Sequence, residues 1–173
     1  MKNGALLGGL LILGAVIFLL KKPDTVKAPA PSPKPLDKPP TGNYPVYVQR
    51  DLYDAFAQAE FDHDLPFGIL QSMAMIESAM RPDVINCATL GPSSEQGIMQ
   101  INPRWHTVDA CDPFKAIDYA GAYLRDLYNQ TGSWRLAVAA YNWGIGNLTR
   151  KGYAAAPAIT RQYVDRVARE VGI

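Results

Sequence analysis

The sequence predicts a mainly α-helical domain behind an N-terminal membrane-spanning helix, and three observations lead there. Residues 4–20 (GALLGGLLILGAVIFLL) form a run of 17 residues without a charge. Residues 23–45 hold eight of the chain's fourteen prolines. From residue 46 onward apolar residues recur at helical spacing, with no alternating strand pattern and no internal repeat. A length of 173 residues allows one compact domain plus extras. A net charge of +1, with 19% charged and 48% hydrophobic residues, excludes a strongly basic nucleic-acid binder and a charge-driven disordered chain. Two cysteines and two histidines are too few for a disulfide-dense scaffold and lack zinc-finger spacing, so neither metal nor cofactor is expected.

Residues 1–22 read as a membrane anchor. The apolar run lies between Lys2 and the pair Lys21-Lys22. As a helix it rises roughly 25 Å, slightly short of a ~30 Å hydrocarbon core, and snorkelling lysines cover the difference. A cleaved signal peptide is the rival reading. Ala28-Pro29-Ala30 faintly resembles a cleavage site, but it lies far from the apolar run and contains proline, and the double lysine favours retention. Charge does not settle orientation, because the amino terminus and Lys2 face Lys21, Lys22 and Lys27 across the span.

Residues 23–45 read as a spacer with almost nothing bulky to bury. Such a segment favours extended polyproline conformations and reaches roughly 70 Å at ~3.1 Å per residue. Six basic and two acidic side chains fall in residues 1–45, against eleven and fourteen in 46–173. The globular part is therefore mildly acidic and a poor electrostatic partner for anionic polymers.

Residues 46–173 are enough for one buried core. Val48, Leu52, Phe56 and Ala59 mark a first helix. Pro66 suits a first helical turn, and a second helix is expected over 66–80. Asp112-Pro113 repeats that capping arrangement before a helix ending at Gly132. Ser133 is the expected cap of WRLAVAAYN, which stops at Gly144, and a last helix covers 158–169. A loop-rich stretch with Gly91-Pro92 and Gly97 separates the second helix from Asp112.

One carboxylate sits on an apolar face. Stepping about 100° per residue from Met73 puts Pro66, Ile69, Leu70, Ile76 and Met80 within roughly 60°, with Glu77 among them at about 40°. Gln71, Met75 and Ser78 fall on the opposite side. A charged carboxylate is disfavoured on a core-facing stripe and at a helix C-terminus, so both effects push the Glu77 pKa upward. An acid still protonated near neutrality is what general acid catalysis requires. A glutamate paired with a buried arginine, or turned out to solvent, is the plainer alternative.

The motifs around it decide between them. Glu77-Ser78 ends an apolar helix, and Gly97-Ile98-Met99-Gln100-Ile101-Asn102-Pro103 follows twenty residues later. Ala140-Tyr141-Asn142-Trp143-Gly144 comes next, then Thr160-Arg161-Gln162-Tyr163-Val164. In this order the set resembles the catalytic domain of the soluble-lytic-transglycosylase (SLT) family, lysozyme-like enzymes related to goose-type lysozyme. The resemblance covers roughly residue 46 to the end. It implies a lysozyme-like α-fold whose substrate is peptidoglycan, cut between N-acetylmuramic acid and N-acetylglucosamine. It assigns Glu77 as the acid/base, with Ser78, Gln100, Tyr141 and Asn142 at the substrate, Met99 lining the cleft and Tyr163 beside the catalytic acid. The lipid bilayer, reached through residues 4–20, is the second expected partner. The resemblance also requires the catalytic domain outside the cytoplasm, in a bacterial envelope, a secretion apparatus or a phage virion membrane.

The implied chemistry suits these residue types. Glu77 protonates the departing glycosidic oxygen, then accepts the proton of the same sugar's C6 hydroxyl as a 1,6-anhydro ring closes. Ordinary glycosidases need a second carboxylate about 5–9.5 Å away, and an internal hydroxyl removes that need. The departure from the family pattern is Ser94-Glu95, where many members carry Gly-Ala. Glu95 is a loop carboxylate, a residue orienting its neighbours, or a water activator; in the last case the enzyme is a muramidase. A non-catalytic glycan-binding or assembly protein on the same fold is the reading from another class.

Cys87 and Cys111 flank the loop that carries Gly97 to Asn102, and in an oxidising compartment they are candidates to pair. Closing a loop of that size is worth roughly 3–4 kcal/mol in the entropy model. His63 and His106 read as surface or packing residues, Trp134 as core, and Trp143 as core or sugar subsite. Met73, Met75 and Met80 read as packing residues.

Overall fold

The protein is described by a computed structural model covering the backbone of residues 46–173 and the side chains of residues 51–173. The expected anchor over 1–22 and spacer over 23–45 lie outside the described residues. Among the described residues no helix is long and apolar enough to cross a membrane.

Among the described residues seven α-helices follow in order: α1 Val46–Asp62, α2 Ile69–Glu77, α3 Pro82–Ile85, α4 Pro113–Thr131, α5 Trp134–Trp143, α6 Ile145–Lys151 and α7 Ala158–Val171, with a 3-10 turn at Tyr153–Ala155. Pairing among the described residues is confined to one isolated antiparallel bridge, Gln96 to Ile101. Helix α5 is the hub, packing on α4, α6 and α7. Its consecutive residues Ala137, Val138, Ala139 and Ala140 are all fully buried. A helix buried all round needs small residues for neighbouring backbones to approach, and three of these four are alanine. Helix α1 lies on α4 and α2, burying Leu52, Phe56 and Ala59, while α2 packs on α7.

Capping explains several boundaries. Asp112 Oδ1 accepts the Phe114 and Lys115 N–H groups at 3.0 and 3.3 Å, starting α4, and Gly132 ends it at φ 67°. Ser133 stands at the N-cap of α5, but its side chain caps nothing; its carbonyl accepts the Thr131 hydroxyl at 3.2 Å instead. Helix α2 starts three residues later than expected and stops three residues earlier. Its end is set by Ala79 and Met80, both in the left-handed region at φ 50° and 54°. That reversal returns Met80 to the core and leaves Glu77 as the helix's last residue. Ser78, expected on the exposed side, is 4% exposed.

The start of α2 is capped from another helix. Glu60 of α1 is 3% exposed, and its carboxylate accepts the N–H of Gly68 at 2.7 Å and of Leu70 at 2.9 Å. Burial pushes its pKa up while these backbone donors pull it down. Its charge meets the positive end of the α2 dipole. Glu60→Ala strips partners from buried N–H groups, which costs about 1–3 kcal/mol. A thermal melt should show the loss; an unchanged Tm would remove Glu60 from the account of how α2 is held.

Candidate active site

Glu77 is half-buried at the C-terminal end of α2. Its pKa is raised from 4.5 to about 7, first by burial and further by the charge of Glu95, while the Tyr163 hydroxyl opposes the rise. Tyr163 reaches Glu77 from α7, whose inner face buries Thr160, Tyr163, Val164 and Val167. The Tyr163 hydroxyl is buried and finds no partner at full hydrogen-bond geometry, yet it stands close enough to favour the charged carboxylate. An acid at about 7 can give up a proton and take one back near neutrality.

The facing loop is built on one tight turn. Gln96 and Ile101 exchange N–H to carbonyl bonds in both directions, each 2.9 Å. Ile98 and Met99 point fully into the core and hold the turn down. The turn needs left-handed residues at Gly97, φ 70°, and Gln100, φ 48°. Gln100 Nε2 donates back to the Gly97 carbonyl at 3.0 Å. Glu95 Oε2 accepts the Ser93 N–H at 2.8 Å, and Asn102 Nδ2 lies 3.5 Å from Glu95 Oε1.

Gly91 sits beneath both of these side chains. A Cβ on it would stand 2.5 Å from Glu95 Oε2 and 2.6 Å from Gln100 Oε1. The two tips can yield, but the Glu95 Cβ, 2.9 Å away, is fixed to the backbone, so Gly91→Ala is expected to displace Glu95 and Gln100 and to shift the loop that carries them. Displacements of this kind cost up to about a hundredfold in rate, and a fall of about tenfold in kcat/KM with a small fall in Tm is expected. Unaltered turnover would mean that neither tip contributes.

Cys87 and Cys111 are joined as a disulfide, with Cα atoms 5.5 Å apart and a sequence separation of 24. The bond ties the end of α3 to the start of α4 and closes the loop carrying Gln100.

Helix α5 delivers Tyr141 and Asn142. The Tyr141 hydroxyl donates to the Met99 carbonyl at 3.0 Å, pinning the tight turn to α5. Its pKa is driven well up, by burial first and then by the charge of Glu77. Asn142 is exposed, and its Oδ1 accepts the Thr160 hydroxyl at 2.8 Å, which orients the amide with its NH2 group as the end left for a ligand. Glu77, Glu95, Gln100, Tyr141 and Tyr163 are thus brought together from α2, the 91–102 loop, α5 and α7.

Two expected substrate contacts are differently placed. The Ser78 hydroxyl donates to the Ala74 carbonyl at 3.0 Å and accepts the Met80 N–H at 3.2 Å, so it is committed to the helix end. Met99 is 0% exposed, and its carbonyl accepts the Tyr141 hydroxyl. Trp134 stacks on Tyr128 with ring centroids 4.0 Å apart, as a packing residue does. Half-buried Trp143 lies beneath the Lys151 ammonium at 5.6 Å. His63 pairs with Asp118 at 2.8 Å. Among the described residues no group of three or more His, Cys, Asp or Glu side chains could hold a metal ion.

Sequence reasoning missed Gly91, Glu60 and a cluster formed by His106, Tyr119 and Tyr123. The i, i+4 spacing of the two tyrosines was the available signal for the cluster.

No curated protein and no solved structure matches the chain. Residues 54–163 match the family model described as the transglycosylase SLT domain. The match spans Glu77, the tight turn, Tyr141-Asn142 and Tyr163, and the chain belongs to the transglycosylase SLT family, with a helical domain of the kind that acts on peptidoglycan.

Proposed function

We propose that this chain is a membrane-tethered lytic transglycosylase that cuts the bond between N-acetylmuramic acid and N-acetylglucosamine and leaves a 1,6-anhydro end. The observation that carries the reading is Glu77, half-buried and titrating at about 7, with Tyr163 and Tyr141 beside it. Glu77 donates its proton to the bridging oxygen as the C1–O bond breaks, and the sugar's own N-acetyl carbonyl shares the positive charge left at C1. The Glu77 carboxylate then takes the C6 hydroxyl proton while that oxygen bonds to C1. Glu77 ends protonated as it began, and no water is consumed. Gln100 and Asn142 supply neutral hydrogen-bonding groups for the sugar, so no further charge competes with the acid.

The second reading is a muramidase in which Glu95 activates water, and the repulsion between Glu95 and Glu77 favours it. Against it, the Glu95 carboxylate is occupied with the Ser93 N–H and approached by Asn102. Mass spectrometry of the muropeptides released from isolated sacculi separates the two. Anhydro ends are expected; reducing ends would replace the transglycosylase with the hydrolase.

The apolar run over 4–20 and the proline-rich 23–45 support a tether that lets the domain reach the wall from a bilayer. The proposed location is the extracytoplasmic face of a bacterial or virion membrane. Full-length chain should pellet with membranes and resist carbonate extraction, and recovery in the soluble fraction would oppose the anchor.

A further inference from the structure

Thr160 and Tyr163 lie one turn apart on the buried face of α7, and α7 packs on α5, which carries Asn142. Thr160 is 2% exposed, and among the described residues its hydroxyl has one partner, Asn142 Oδ1 at 2.8 Å. A threonine in a helix ordinarily sends its hydroxyl proton to the carbonyl four residues back, as Thr131 does to Leu127 at 2.8 Å. For Thr160 that carbonyl belongs to Ala156, which stands outside α7 with ψ 142° and accepts the Arg161 guanidinium. The Thr160 proton is thereby left to Asn142. Were the Asn142 amide turned over, its NH2 group would donate to the hydroxyl, and the hydroxyl proton would lie buried without an acceptor. The pair therefore holds one orientation, with the amide oxygen on Thr160 and the NH2 group free.

We propose that Thr160 is a positioning residue of the active site, whose hydroxyl fixes Asn142 with its NH2 donors towards the sugar. The inference rests on the reading of the chain as a glycan-cleaving enzyme and adds what makes Asn142 competent in it. An exposed asparagine free to turn offers a ligand its carbonyl as readily as its NH2 group. Anchored through its oxygen, Asn142 presents donors, and the acetamido carbonyls are the strongest neutral acceptors on a strand of N-acetylated sugars. The amide is ordered before the strand arrives, so binding does not bear the cost of ordering it. Packing alone gives the hydroxyl no purpose, because valine fills the same space. Thr160 is buried and reaches the substrate only through Asn142. The same face of α7 brings the Tyr163 hydroxyl to Glu77 and the Thr160 hydroxyl to Asn142, so one helix aligns the group that gives the proton and the group that holds the sugar.

The test uses the full chain carrying Glu77→Gln, so that binding is read without turnover, with isolated sacculi as the probe, either intact or chemically de-N-acetylated. Adding Thr160→Val, which keeps the volume and removes the hydroxyl, is expected to weaken binding to intact sacculi about tenfold. Binding to de-N-acetylated sacculi should stay within about twofold of the parent, because the acceptor is gone from the probe. Thr160→Ser restores the hydroxyl and should stay within about twofold of the parent on intact sacculi. Asn142→Ala should weaken that binding to a similar extent, and Thr160→Val added to it should cost nothing further, since the two act as one unit. Intact-sacculus binding equal to the parent in Thr160→Val overturns the inference and leaves the enzyme reading standing. A loss on both probes, or a loss that persists in full beside Asn142→Ala, also overturns it, because the damage then lies in the packing of α7. A parent that does not bind intact sacculi removes the glycan reading and the role of Thr160 with it.

Discussion

Glu77→Gln is expected to lower turnover on isolated sacculi about a thousandfold, within the range that loss of a general acid costs, while leaving sacculus binding in place. Gln keeps the side chain's shape and removes only the proton that the glycosidic oxygen receives. The same group sets a pH dependence. With its pKa at about 7, Glu77 loses its proton as pH rises through neutrality, so activity should fall on the alkaline side with a midpoint near there. Stability follows the raised pKa. Below about pH 4.5 the acid is neutral in both folded and unfolded chains, and no stability is lost. Between 4.5 and 7 the unfolded chain releases the proton and the folded chain keeps it, so stability falls with rising pH by about 1.4 kcal/mol per unit. The total is at most about 3 kcal/mol, because Glu77 retains some contact with solvent. Glu77→Gln should therefore be inactive yet gain stability over the parent at pH 8, relative to the difference at pH 4. A variant retaining near-normal wall lysis would remove Glu77 from the chemistry.

Gly97→Ala is expected to produce the largest loss of stability. A Cβ there would lie 1.7 Å from the Ala110 carbonyl oxygen, and the residue sits at φ 70°. Backbone cannot swing aside as a side-chain tip can, so either the tight turn or the approach to α4 must open. Strain in the left-handed region and the clash together should exceed about 3 kcal/mol, read as a fall in Tm of about 10 °C. Activity should fall with it, because the turn carries Gln100 and presents the Met99 carbonyl to Tyr141. A melt within a degree or two of the parent would contradict this description of the turn. Gly91→Ala makes the informative contrast: there the two nearest obstructing atoms are side-chain tips and no backbone atom is met, so the effect should fall more on activity than on stability.

These two substitutions show what could be read in the sequence and what could not. Glu77 was legible because a carboxylate on an apolar helical face is an anomaly under a 3.6-residue period. The start of α4 was legible because Asp112-Pro113 is local chemistry. The end of α2 was not, because Ala79 and Met80 take left-handed conformations that their side chains do not advertise, and only the packing of Met80 into the core accounts for the turn. The same hidden turn explains Ser78, placed on the exposed side by a helix wheel and found locking the helix end. Ser133 had the right position without making the expected bond. Glu60 was illegible for a different reason. Its bonds depend on two consecutive helices folding back on each other, and periodicity within either helix carries no trace of that meeting.

The central claim is that the folded chain holds a proton on Glu77 near neutrality. Carbon-13 NMR titration of the glutamate side-chain carboxyls, with Glu77→Gln to assign the resonance, measures it directly. The account expects one carboxyl titrating at about 7, missing from the variant; a Glu77 resonance titrating at 4.5, like an acid free in solution, would contradict it.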